Sequence, residues 1–93
     1  MTEAEAPATY AIDVRVSLRP AVLDTQGKAI LGGLHAMGYT SVAEVHAGKY
    51  FRLAVMAPSR EQALEQARSA CERLLSNPVI ETFTLDVVDG PAT

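Results

Sequence analysis

From Tyr10 to Leu18 apolar and polar side chains alternate. Tyr10, Ile12, Val14, Val16 and Leu18 share one parity, and Ala11, Asp13, Arg15, Ser17 and Arg19 share the other. A period of two predicts a strand with one buried face. Pro20 has no N–H for a ladder and closes the strand. Asp24 or Thr25 then offers an oxygen to cap a helix, along which Gly27, Ile30, Leu31, Leu34 and Met37 recur at helical spacing before Gly38 stops it. Gly27, Gly32 and Gly33 cost about 1 kcal/mol each relative to Ala inside a helix. Close approach of another backbone, from a sheet or a second subunit, would offset that cost.

Val42 to Ala57 is predicted as a second extended segment, with Phe51, Leu53, Val55 and Ala57 on one face and Tyr50, Arg52, Ala54 and Met56 on the other. Val45 and Ala47 continue the inner face, but Lys49 would then point inward. Gly48-Lys49 is therefore expected to form a bulge or hairpin corner, leaving either one bent strand or two. Ser59 with Gln62 makes a capping-box pattern, and Leu64, Ala67, Cys71, Leu74 and Leu75 form an apolar stripe behind it. Glu65, Gln66, Arg68, Ser69, Glu72 and Arg73 make the solvent face, where Glu65 with Arg68 and Arg68 with Glu72 are spaced to pair. Pro78 forces Asn77 out of helical geometry, so this helix stops near Ser76. A last strand is expected over Val79 to Val88, with Phe83, Leu85 and Val87 opposed to Thr82, Thr84 and Asp86. Gly90 and Pro91 end the order.

The fold class is thus α+β, in the order β-α-β-α-β, with two helices on one face of a mainly antiparallel sheet. The uncovered face includes Ala11, Tyr50, Ala54, Met56, Ile80 and Val88, and is apolar enough to pack against a second copy. Residues 1–9, rich in Ala, Glu, Thr and Pro, are expected to be a disordered extension, 10–89 a single domain and 90–93 a tail.

Composition narrows the function. A chain of 93 residues, 48% hydrophobic but 5% aromatic and without Trp, builds its core from Ala, Val, Leu and Ile. A domain of this size buries about 60–65% of its unfolded surface, and a partner can add what it lacks. Eight basic and eleven acidic residues give a net charge of −3 with no basic cluster, which speaks against nucleic acid. The sequence has no run for a membrane span, and Met1 to Thr9 lack the pattern of a signal peptide, so a cytoplasmic location is expected. Cys71 is the single cysteine, as a reducing compartment allows.

Candidates for chemistry are few. Cys71 lies on an apolar stripe without a basic neighbour in it and reads as core rather than as a reactive thiol. His35 and His46 have no Cys, Asp or Glu at metal-ligand spacing and read as surface or interface residues. Gly32-Gly33 and Gly48-Lys49 do not belong to a Gly-rich loop ending in Lys-Ser/Thr, so backbone geometry explains them better than phosphate binding. No catalytic, cofactor or metal site is expected.

Four runs of sequence carry a resemblance. They are Leu18-Arg19-Pro20-Ala21-Val22-Leu23-Asp24-Thr25-Gln26-Gly27-Lys28-Ala29, Leu34-His35-Ala36-Met37-Gly38-Tyr39, Val45 with Gly48-Lys49-Tyr50-Phe51, and Cys71-Glu72-Arg73-Leu74-Leu75-Ser76-Asn77-Pro78-Val79-Ile80-Glu81. In this order they resemble the PurS family, the small subunits of phosphoribosylformylglycinamidine synthase. Ala21, where the family often has Gly, and Thr25, where it often has Pro, are departures confined to the turn before the first helix. The resemblance implies a complex with a PurL-type synthetase subunit, which uses ATP and Mg2+, and a PurQ-type glutaminase subunit. It also implies a homodimer or higher homo-oligomer that joins the two and helps enclose the path of ammonia. On it, Arg19, Lys28, Gly48, Lys49, Tyr50 and Asn77 are candidate subunit contacts. The alternatives are a ferredoxin-like regulatory domain binding a small ligand, and an acylphosphatase-type hydrolase, for which the turn Arg19-Pro20-Ala21-Val22 lacks the glycines.

Overall fold

A computed structural model describes residues 7–88. Strand β1 (Ala8–Leu18) is central and pairs antiparallel with β2 (Gly48–Ala57) on one side and β3 (Glu81–Val88) on the other, giving the order β2-β1-β3. The register sets Ile12 between Leu53 and Val87, and Val14 between Phe51 and Leu85. The alternation read in all three segments therefore converges on one face. β1 opens at Ala8, paired with Ala57, two residues before the expected start.

Helix α2 (Arg60–Ala70) covers that face, and Ser59 caps it by accepting from the Gln62 amide at 3.2 Å. Ala63, Ala67 and Cys71 are buried against Ile12, Val14 and Val16. Small side chains on the helix let it sit close over β-branched ones, which suits a core without large aromatics. At Cys71–Leu75 the helix widens into a π-helical turn, closed where the Ser76 amide and hydroxyl both donate to the Cys71 carbonyl at 2.9 Å. The wider turn carries Leu75 toward the core and leaves Leu74, expected in the stripe, 83% exposed. The expected pairs on the solvent face do not form. Arg68 instead lies over the Phe83 ring, 5.8 Å from its centre.

Helix α1 (Thr25–Ala36) behaves differently. Asp24 caps it, its carboxylate accepting from Gly27 at 2.8 Å and, with the other oxygen, from Ala47 at 2.8 Å. Gly27 is obligatory: a Cβ there would meet the Val45 carbonyl and the Asp24 carboxylate. Gly38 has a φ of 101°, the left-handed stop expected. Yet α1 makes little contact with the sheet or with α2. Of its expected inner stripe only Gly27 is buried; Leu31 and Leu34 are half-buried, and Ile30 and Met37 are exposed. Among the described residues nothing lies within 4 Å of a Cβ placed at Gly32 or Gly33. The chain is drawn out to 61 × 28 × 15 Å, with a radius of gyration of 17.7 Å. A compact domain of this length has about 12 Å.

Residues 42–47 are not strand, and β2 is one continuous strand from Gly48. The register runs through Gly48 and Lys49 without a bulge, and Lys49 does take the inward parity opposite Val16. β3 begins at Glu81 rather than Val79, because residues 76–80 form a loop. The proposed tail at 90–93 and most of the 1–9 extension lie outside the described residues.

Candidate subunit interface

The loop between α2 and β3 is held by side chains from three elements. Arg19, just after β1, donates from Nε and Nη2 to the Pro78 carbonyl at 3.2 and 2.8 Å, while its amide donates to the Ile80 carbonyl at 2.8 Å. Lys49 reaches beneath the loop from β2, donating to the Leu75 carbonyl at 3.2 Å and standing 3.4 Å from the Glu81 carboxylate. Glu81 accepts from the Asn77 amide at 2.7 Å, and the Asn77 side chain accepts from the Val79 amide at 3.0 Å. The Asn77 amide, ahead of Lys49, holds the Glu81 carboxyl below its ordinary pKa. The loop turns apolar surface outward: Val79 is 80% exposed, and Leu74, in the helical turn before it, is 83% exposed.

Three of the candidates, Arg19, Lys49 and Asn77, thus meet at one place and serve this loop. Gly48 sits next to them, where a Cβ would strike the Val16 carbonyl, so the close pairing of β1 with β2 needs glycine. Tyr50 lies on the other face of the sheet, and its hydroxyl donates to Asp13 at 2.8 Å. Lys28 stands apart in the first turn of α1, exposed.

The open face of the sheet is more polar at its centre than the sequence suggested. Asp13, of outward parity, is only 7% exposed. Arg52 across the strand pair donates to it from Nε at 2.7 Å and from Nη2 at 3.2 Å, and this hydrogen bonding outweighs burial and holds the Asp13 carboxyl below its ordinary pKa. Arg15 bridges to Asp86 at 3.2 Å and lies over the Tyr50 ring. Among the described residues, apolar surface on this face lies around Ala54 and Met56 at one end and at the Tyr50 ring nearer the other, and Ile80 is not on the strand. Asp13, Arg52 and Glu81 were not singled out by sequence. The signal for the first pair was present, an acid and a base at the same parity on adjacent strands.

Cys71 is buried, and burial pushes its thiol pKa up, the opposite of an activated nucleophile. His35 donates to the Val42 carbonyl at 2.7 Å, and His46 is 2.8 Å from Glu44. Among the described residues no three His, Cys, Asp or Glu side chains are grouped to hold a metal. The three carboxylates with lowered pKa, Asp13, Asp24 and Glu81, already accept from Arg52, from amides, and from an amide plus Lys49. That donor set does not fit Mg2+. No described helix is long and apolar enough to cross a membrane.

The PurS family, described as phosphoribosylformylglycinamidine (FGAM) synthase, matches residues 11–89. The chain belongs to the PurS family. The phosphoribosylformylglycinamidine synthase subunit PurS of Synechocystis is 39% identical over 87 residues, covering 91% of this chain and 87% of that one. The subunit of Bacillus subtilis is 40% identical over 78 residues, covering 84% and 92%. Among solved structures, the Thermotoga maritima PurS subunit (EC 6.3.5.3) superposes with a TM-score of 0.82 at 30% identity, covering 88% of this chain and 94% of that one. A chain of the Thermotoga maritima PurLQS structure gives a TM-score of 0.81 at 31% identity, covering 87% and 99%. The three-stranded antiparallel sheet with two helices is thus a PurS fold, and the family's role is that of an FGAM synthase subunit in purine biosynthesis. The regulatory and hydrolase alternatives gain nothing from these relatives.

Proposed function

We propose that this chain is the non-catalytic small subunit of an FGAM synthase complex in the cytoplasm. It bridges a PurL-type synthetase and a PurQ-type glutaminase in the ATP- and glutamine-dependent conversion of formylglycinamide ribonucleotide to formylglycinamidine ribonucleotide. Its own resting state is a homodimer or higher homo-oligomer. The observation that carries the reading is the PurS match across nearly all the described residues, joined to the likeness to a chain of a PurLQS structure. ATP and Mg2+ belong to the synthetase subunit in this reading.

The physical contribution is enclosure. Ammonia released by the glutaminase is lost or protonated in bulk water, and subunits held in a fixed relation raise the fraction that reaches the activated amide. Arg19, Lys28, Gly48, Lys49, Tyr50 and Asn77 remain the proposed interface residues, in two roles. Lys28 and Tyr50 offer side chains to a partner. Arg19, Lys49 and Asn77 support the proposal by stiffening the loop that presents Val79 and follows Leu74, which lowers the ordering cost of a contact made there. The test is reconstitution with the host's synthetase and glutaminase subunits, following glutamine-dependent product formation. A large gain on adding this chain is expected; no gain overturns the assignment.

A further inference from the structure

We infer that Cys71–Leu75 is a two-register switch. Its π-helical form holds Leu75 in the core and offers Leu74 outward, and relaxation to α-helix exchanges the two leucines and withdraws Leu74 from the surface.

The buried stripe of α2 runs through Ala63, Ala67 and Cys71. An α-helix turns about 100° per residue, so its plain continuation sets Leu74 within about 20° of Ala67 and leaves Leu75 about 80° away. The structure shows the reverse. Leu75 packs against the core and Leu74 is 83% exposed. Bonding from each residue to the fifth before it, as between the Ser76 amide and the Cys71 carbonyl, winds the chain less per residue than α-helical bonding. Over one turn that difference brings Leu75 to the place Leu74 would take.

Burial barely separates the two forms, because each seats one leucine and frees the other. The choice falls to hydrogen bonds. The Ser76 amide and hydroxyl both donate to the Cys71 carbonyl at 2.9 Å, and Ser76 is only 9% exposed. In the α-helical form that carbonyl accepts from the Leu75 amide instead, and the buried Ser76 hydroxyl loses its acceptor, which is costly. Lys49 adds a second tie to the π-helical form by donating to the Leu75 carbonyl at 3.2 Å. The residue released from the turn passes into residues 76–80, which are neither helix nor strand. A sequence that packs equally well in two registers, separated by the bonds of one serine and one lysine, has the makings of a switch. Its bearing on assembly rests on the subunit role proposed above, in which an exposed Leu74 is available to a partner. The register exchange itself is a property of the chain alone.

The test uses the full-length chain with labelled leucine methyls. In wild type, NOEs to the methyls of Ile12, Val14 or Val16, the buried row of β1, are expected from Leu75 and not from Leu74. In Leu75→Ala, and in Ser76→Ala where the hydroxyl tie is gone, Leu74 should acquire them. Thermal midpoints at one protomer concentration complete a cycle of Leu74→Ala, Leu75→Ala and the double variant. Because either leucine can fill the same seat, the double variant should fall below the sum of the two single shifts by about 4–8 °C. Additive midpoints overturn the inference, and so do Leu74 methyls that stay free of those NOEs in both Leu75→Ala and Ser76→Ala. Neither result depends on the synthetase or glutaminase subunits, so failure here is distinct from a failed reconstitution.

Discussion

Gly27→Ala and Gly32→Ala are the same chemical change in the same helix, and the structure gives them opposite signs. At Gly32 a Cβ meets nothing within 4 Å, so alanine brings only its helix propensity, a gain of about 0.8–1 kcal/mol. At Gly27 the Cβ would collide with the Val45 carbonyl and with the carboxylate of Asp24, which caps the helix and ties it to Ala47. Overpacking against backbone costs about 1–3 kcal/mol, which cancels or exceeds the propensity gain. The broken cap then adds to the loss. For a domain of this size 1 kcal/mol moves the midpoint by about 4–8 °C. Thermal unfolding at one fixed protomer concentration, so that assembly does not shift the comparison, should place Gly32→Ala above wild type and Gly27→Ala below it. A Gly27→Ala chain as stable as Gly32→Ala would refute the packing argument at the start of α1.

Ile12→Ala, which empties a fully buried position, should cost about 2–5 kcal/mol by denaturant titration, while Leu74→Ala in the free chain stays within about 0.5 kcal/mol. The Cys71 thiol should resist a water-soluble thiol reagent in the folded chain and react fully in denaturant, because it is buried with a raised pKa. Asp13, Asp24 and Glu81 all have folded pKa values below their ordinary ones. As pH falls, the unfolded chain therefore takes up protons first, so their contribution is complete above the unfolded carboxyl pKa, about 4, and is lost as pH drops through the folded values. Unfolding midpoints measured from pH 6 to pH 2 should fall, and Asp13→Asn should flatten the descent. Lys49→Met should leave the sheet folded but speed amide exchange at Asn77 and Val79, since the lysine no longer holds Leu75 and Glu81; unchanged exchange removes Lys49 from the loop's support.

What the sequence made legible was local. The alternation from Tyr10 to Leu18 was readable because β1 has one sealed face, and the Ser59 cap because its donor is three residues away. Lys49 defeated the same logic. At the end of a strand an inward lysine can reach past the sheet, and its partners Leu75 and Glu81 lie 26 and 32 residues away, beyond any local pattern. Leu74 was misplaced because a π-helical turn shifts the helical period by one residue, and no residue in Cys71–Leu75 announces it. The stripe read on α1 stays largely open within the chain, with Ile30 and Met37 exposed. Periodicity states that a face must be buried and is silent on which molecule buries it.

The candidate contacts divide along the same line. The motif residues Arg19, Lys49 and Asn77 look like contact residues in a sequence because they are polar and sit at element ends. Their hydrogen bonds are nevertheless already made within the chain. A polar group satisfied at home gains little from a partner, whereas an apolar group already exposed gains from every contact that removes water. The side chains with most to gain at this end of the molecule are therefore Leu74 and Val79, which periodicity had assigned to the core and to a strand. Loss of assembly on substituting Lys49 would not by itself make Lys49 a contact. It would have to occur with the loop still rigid.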